Sequence, residues 1–307
     1  MLVCSFFDFS IPLTGKRHPK GRNAVQQAWP EGFPANGNIL KSKMINVGLD
    51  IGSQYVKTVV LKDRIVVATC VEKLGTGSIE TLVFDNYIAA LQKAGIEEKK
   101  VDYTVATGIG REFIGFADIQ ISEILCSTRG VNWLPPPNGF FLDMGMEKAI
   151  VVKNHDGTPF QSFRNDRCAS GTGRYLDIAA KPLGLSVEEM GEVSLKSTKD
   201  ISISSNCAVF AESEIISLIH QKEKTEDIVR AIFKSMASKV HSLILKMGNV
   251  KNLTMIGGFA KNVGLVKAIE LEAGCKVIVP STIDPQLVTA LGAALIGSEN
   301  EKTTASL

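Results

Sequence analysis

No run of apolar residues in this chain approaches the roughly 18 needed to cross a bilayer as a helix. Charge of one sign is also missing: 34 Lys and Arg stand against 32 Asp and Glu, for a formal net charge of +2. That balance offers little to a nucleic-acid backbone or an anionic membrane surface, so neither is an expected partner. Cysteine is sparse and scattered. Cys4, Cys70, Cys126, Cys168, Cys207 and Cys275 form no Cys-x-x-Cys pair and none of the dense spacing of a secreted disulfide scaffold. The start runs from apolar to basic, the reverse of a secretory signal, without a convincing small-residue cleavage site. A reducing cytoplasm is the expected setting, with most thiols serving as small core residues.

What is present is 307 residues, 45% of them hydrophobic, and 27 glycines, many in short clusters. This suits one large or two medium domains. Residues 1–43 mix Pro, Gly, Asn and basic residues without helical or strand period. They read as a disordered extension or an over-long translation start, with Met44 opening the folded part. From Ile45 the chain becomes regular: INVGLDI, YVKTVVL and RIVVATCVE are strands, the last two joined by a tight Lys-Asp turn. SIETLVFDNYIAALQKAG reads as an amphipathic helix with Ser78 as its cap and Gly95 as its stop. VDYTVATG is a further strand. FFLDMGM (140–146) then echoes VGLDIGS (47–53), and AIVVKNHDGTPFQSF continues as a hairpin turning at Asp156-Gly157.

Two copies of strand–Asp-x-Gly–strand predict a duplicated α/β fold. Helices are expected over 170–181, 186–192, 208–221, 225–247 and 261–273, and PQLVTALGAALIGS forms a last apolar helix that can return to the first copy. The expected division is 44–138 plus 286–303 for the first subdomain and 139–285 for the second.

An Asp at the end of a buried strand, followed by Gly, presents a carboxylate and free backbone N–H groups at one sheet edge. Phosphates and their Mg²⁺ need both. Asp50 with Gly52 and Ser53 is one such turn, and Asp143 with Gly145 is the other. Two ordinary β-turns remain the bland alternative. Gly257-Gly258 follows a strand and would let a flat adenosine lie close to the backbone, unless it is only a strand–helix turn needing positive φ. Cys168 and Cys207 each stand where a helix begins, a position that favours thiolates as nucleophiles or metal ligands. A buried structural cysteine and a lone redox thiol are the alternatives for each. Cys126 and Cys275 read as core residues.

Together VGLDIGSQYVKTVVL, TGIGR (107–111), NDRCASGTGRYLD, ISSNCAVFAESEIIS, MIGGFAKN and ALGAAL resemble the family of 2-hydroxyacyl-CoA dehydratase activators and benzoyl-CoA reductase ATPase subunits, over residues 45 to 298. The resemblance implies an α/β, duplicated actin-like ATPase of the sugar kinase/heat-shock chaperone type, with two subdomains around a nucleotide cleft. It implies ATP and Mg²⁺, and one [4Fe–4S] cluster shared by a dimer, with Cys168 and Cys207 donated by each subunit. It implies a homodimer or paralogous heterodimer that passes a low-potential electron to an iron–sulfur CoA-ester dehydratase or reductase. By the same resemblance Asp50, Gly52, Ser53 and Lys57 match the first phosphate motif, and Gly257 and Gly258 the adenosine motif. Asp50 and Asp143 would serve Mg²⁺ and the attacking water.

One turn departs from the pattern. Where such activators read Asp-x-Gly-Gly-Gln-Asp, this chain reads Asp143-Met144-Gly145-Met146-Glu147-Lys148. Met146 is expected to crowd the phosphates, and Lys148 to offset Glu147, so slow hydrolysis is anticipated. A sugar or acetate kinase of the same fold, and a non-enzymatic ATP-dependent regulator, remain as competing classes. Anaerobic purification separates them, because only the electron-transfer reading predicts a brown protein.

Overall fold

The computed structural model describes residues 44–135, 138–165, 171–203 and 207–299. Cys168 and the tail 1–43 lie outside the described residues. The first copy opens with three antiparallel strands, β1 (Ile45–Ile51), β2 (Tyr55–Lys62) and β3 (Ile65–Lys73). The β2–β3 turn is tight because Asp63 and Arg64 both take positive φ, at 53° and 63°. Helix α1 (Ile79–Ala94) follows and ends at Gly95, whose left-handed φ of 65° closes the last turn. Ser78 holds the N-cap position, but its side chain makes no capping bond. Strands β4 (Tyr103–Thr107) and β5 (Ile119–Gln120) then add in parallel, giving the order β3-β2-β1-β4-β5.

Helix α2 (Glu123–Trp133) leads to the second copy, which repeats this plan. Strands β6 (Phe140–Met144), β7 (Ala149–His155) and β8 (Thr158–Asn165) are antiparallel, and Asp156-Gly157 turns the hairpin at φ 49° and 79°. Helices α3 (Gly173–Ala180), α4 (Val187–Ser194), α5 (Ala208–His220) and α6 (Thr225–Leu245) come next. Strand β9 (Asn252–Ile256) pairs in parallel with β6, α7 (Val263–Ala273) follows, and β10 (Lys276–Ile278) pairs in parallel with β9. The second order, β8-β7-β6-β9-β10, matches the first strand for strand. This is the duplicated α/β fold that the repeated Asp-x-Gly strands predict.

Helix α8 (Val288–Gly297) follows the second copy but lies on the first sheet, with Leu291 and Ala294 against Val59 and Leu61. All ten of its residues are buried, which explains why its sequence is apolar all round. Helix α2 does the converse: Val131 and Leu134 pack on Phe141, Ile150 and Val152 of the second sheet. The two helices cross in contact because the crossing is made of glycine. A Cβ at Gly292 would overlap the carbonyl oxygen of Cys126, and one at Gly130 would overlap that of Val288. Gly292→Ala should therefore lower stability by about 2 kcal/mol, the cost of overpacking a close crossing. The checking measurement is the midpoint of chemical unfolding, and an unchanged midpoint would contradict this packing.

Candidate nucleotide cleft and exposed thiol

Strand β1 delivers Asp50 to its C-terminal end, where only 4% of the residue is exposed. The register sets Lys57 of β2 directly opposite, and Lys57 Nζ donates to Asp50 Oδ2 at 2.8 Å. Asp50 Oδ1 is buried and has no hydrogen-bond partner among the described residues. An unpaired buried carboxylate oxygen is costly unless something else comes to meet it. The following turn closes through Gly52 N–H donating to Tyr55 O at 3.0 Å, with Ser53 exposed at its tip.

The second copy reproduces this strand end. Asp143, 3% exposed, lies near the end of β6, and the turn after it closes through Gly145 N–H donating to Lys148 O at 2.9 Å. Each aspartate also has a glycine at the end of its parallel neighbour strand. Gly108 follows β4 at φ 89°, and Gly257 follows β9 at φ 88°. A Cβ on either would press on a carboxylate, 2.7 Å from Asp50 Oδ1 and 2.9 Å from Asp143 Oδ1 respectively. Gly257 thus takes the positive φ that the turn after β9 requires. Gly258 beside it is exposed, and a Cβ there would meet only the Gln286 side chain, at 3.8 Å. Gly108 has the same role as Gly257 in the other copy, a correspondence hidden in TGIG and IGGF until the sheets are aligned.

Lys148 differs from expectation. It does not reach Glu147, which points outward to Arg174 at 3.2 Å. Instead Lys148 Nζ donates to Asp143 Oδ2 at 2.8 Å and to Glu123 Oε1 of α2. Glu147 and Lys148 lie in the irregular turn between β6 and β7, and their side chains part company there. Ser127 of α2 also donates to Asp143 Oδ2, at 3.2 Å, and shares a 2.9 Å hydrogen bond with Thr289 of α8. Burial pulls the Lys148 ammonium down, but Asp143, Glu123 and Asp50 together hold it above the ordinary lysine range. Burial raises the Glu123 carboxyl, Lys148 opposes, and Asp143 and Asp50 add to the rise. Asp50 adds to the rise of both groups, so its carboxylate lies near the Lys148–Glu123 pair.

The turn at Gly145–Lys148 is tied to the thiol region. Gly173 N–H donates to Gly145 O at 3.1 Å and Arg174 N–H to Met146 O at 2.8 Å, seating the start of α3 on the turn. Helix α3 packs against α5, whose N-cap is Cys207. Cys207 is exposed, on extended backbone, and its side chain makes no capping bond. Val209 and Phe210 beside it are 66% and 69% exposed. By contrast Cys70, Cys126 and Cys275 are buried, as expected for Cys126 and Cys275, and burial pushes the Cys126 thiol up to about 12. Among the described residues no three His, Cys, Asp or Glu side chains converge as a metal cage, and no helix is long and apolar enough to cross a membrane.

The family model described as the BadF/BadG/BcrA/BcrD ATPase family matches residues 47–297. The chain belongs to that family. The ATPase is 41% identical over 262 residues to a 2-hydroxyisocaproyl-CoA dehydratase activator of Clostridioides difficile, covering 84% of this chain and 97% of the relative. A solved structure of the activator of the 2-hydroxyisocaproyl-CoA dehydratase from Clostridium difficile, with bound ADPNP, aligns with a TM-score of 0.77 and 39% identity over 85% of this chain and all of that one. One of the benzoyl-CoA reductase subunits of Thauera aromatica is 28% identical over 272 residues, covering 86% of this chain and 96% of the relative. The cleft described above therefore belongs to an ATP-binding ATPase.

Glu123, Ser127, Thr289 and Gly108 are not legible as site residues in the sequence. Helix α2 itself escapes a sequence reading: EILCSTRGVNW carries Ser, Thr and Gly among its apolar residues, and burial between two layers erases an amphipathic stripe.

Proposed function

We propose that this ATPase activates a 2-hydroxyacyl-CoA dehydratase by delivering a low-potential electron when ATP binds and turns over. The observation carrying this is the exposed Cys207 at a helix start, linked through α5 and α3 to the phosphate turn. Cys168 and Cys207 of two copies would together hold one [4Fe–4S] cluster, since one chain offers too few thiols for its four ligands. Cys207 fits that task, being solvent-facing, without a capping bond and at a helix N-terminus. The cluster would supply one-electron transfer. The bare apolar side chains of Val209 and Phe210 beside Cys207 suit burial against a second copy.

In the cleft, Gly52, Ser53, Lys57 and Gly145 would cradle the phosphates, and Gly257 and Gly258 the adenosine. Asp50, with its unpaired Oδ1, would meet Mg²⁺ or the attacking water. Asp143 would address the phosphates together with Lys148. The setting is cytoplasmic.

Iron content tests this reading. Anaerobically prepared protein should be brown, dimeric and hold about two iron atoms per chain, half a four-iron cluster. A colourless, iron-free monomer that phosphorylates sugars would point to a kinase of the same fold.

A second reading is the ATPase subunit of a benzoyl-CoA reductase-type heteromeric complex. The altered turn favours it, because Lys148 ties up Asp143 and a paralogous partner would then supply hydrolysis. The isolated chain should bind ATP but hydrolyse it slowly, and the triple change Met146→Gly, Glu147→Gln, Lys148→Asp should raise phosphate release about tenfold or more. Equal turnover by the two proteins would favour the simple homodimeric activator.

A further inference from the structure

Resting on the nucleotide-cleft reading, we propose that Lys148 is a built-in counter-ion for the phosphate tail, so that this chain binds ATP with little need for Mg²⁺. Three carboxylates face the cleft, Asp50, Asp143 and Glu123, and two ammonium groups, Lys57 and Lys148, answer them. Among the described residues two of the three N–H bonds of Lys148 are taken, by Asp143 and Glu123, which leaves the third for an incoming phosphate oxygen. The side chain is 20% exposed, enough to meet a ligand from a fixed position.

The same pairing lowers the attraction of the site for a divalent cation. Asp143 Oδ2 already accepts from Lys148 and Ser127, so this oxygen is compensated before any cation arrives. Asp50, Asp143 and Glu123 are answered by Lys57, Lys148 and Arg111, whose Nη1 donates to Gly108 O beside Asp50 at 3.0 Å, so the cleft sums to a charge of 0. An Asp at position 148 would make it −2, with four carboxylates against Lys57 and Arg111. A cleft at −2 favours recruiting Mg²⁺ with a polyanion far more than a neutral cleft with a lysine tethered beside the phosphates.

Calorimetric titration of the intact chain with ATP, in excess Mg²⁺ and again in excess chelator, tests the inference. The unaltered protein should show dissociation constants within about threefold of each other. Lys148→Asp should bind ATP about tenfold or more weakly in chelator than in Mg²⁺. Lys148→Gln removes the charge but keeps a polar side chain, and should lose about tenfold in affinity in chelator. The measurement on the unaltered chain stands even if the Asp variant does not fold. Binding by the unaltered chain that requires Mg²⁺ as strongly as Lys148→Asp would overturn the inference alone. So would a folded Lys148→Gln with unchanged affinity in chelator. Absence of ATP binding in both media would overturn it together with the nucleotide-cleft reading beneath it.

Discussion

Asp50→Asn is expected to slow ATP turnover by about two to three orders of magnitude, roughly 3–4 kcal/mol of barrier, while the fold stays intact. The expectation comes from what each oxygen of Asp50 does. Oδ2 accepts from Lys57, across a strand register that fixes the pair. Oδ1 is buried without a partner, and a protein keeps such an oxygen at little advantage unless a ligand, water or cation meets it. Asparagine has the same shape but no charge, and it would turn an amide toward one of those two neighbours. Phosphate release in single-turnover and steady-state conditions reads the effect, with thermal unfolding as the check on folding. Turnover equal to that of the unaltered chain would remove Asp50 from the chemistry. Lys57→Met should act in the same direction on ATP affinity, since Lys57 both holds Asp50 and faces the turn at Gly52.

Cys207→Ala is expected to abolish iron binding and weaken dimerisation, with ATP affinity retained. Cys207 is exposed, so its truncation opens no cavity, and any fall in melting temperature should come from the lost cluster and dimer contact. Cys126→Ala provides the contrast. Cys126 is fully buried where α2 meets α8, and its truncation should cost about 1–2 kcal/mol of stability with iron content preserved. Iron analysis and analytical ultracentrifugation of the two variants, prepared anaerobically, separate the roles. Full iron in Cys207→Ala would remove that thiol from the ligand set. Cys168→Ala should match Cys207→Ala.

The parts of this molecule that are readable from sequence are those written locally. Apolar runs ending in Asp-x-Gly announce β1 and β6, because strand, turn and carboxylate are adjacent in sequence. The Asp156-Gly157 hairpin and the stop of α1 at Gly95 follow from the positive φ that those turns demand. The parts that are not readable depend on residues brought together from afar. Glu123, Ser127, Asp143, Lys148 and Thr289 form one hydrogen-bonded group, yet they come from α2, β6, the turn after it and α8. No periodicity in any one segment marks such a meeting. Lys148 shows the limit most plainly. Sequence adjacency suggests that it offsets Glu147; in the folded turn Glu147 pairs with Arg174 and Lys148 with Asp143.

The most direct test of the central claim is ATP-dependent activation of a dehydratase. The chain, prepared and reduced without oxygen, is mixed with an inactive 2-hydroxyacyl-CoA dehydratase and its CoA-ester substrate, with and without ATP. Dehydration that begins only when ATP is present, and is lost in Cys207→Ala, is the predicted result. Dehydration that starts equally well without ATP, or that survives loss of Cys207, would contradict it.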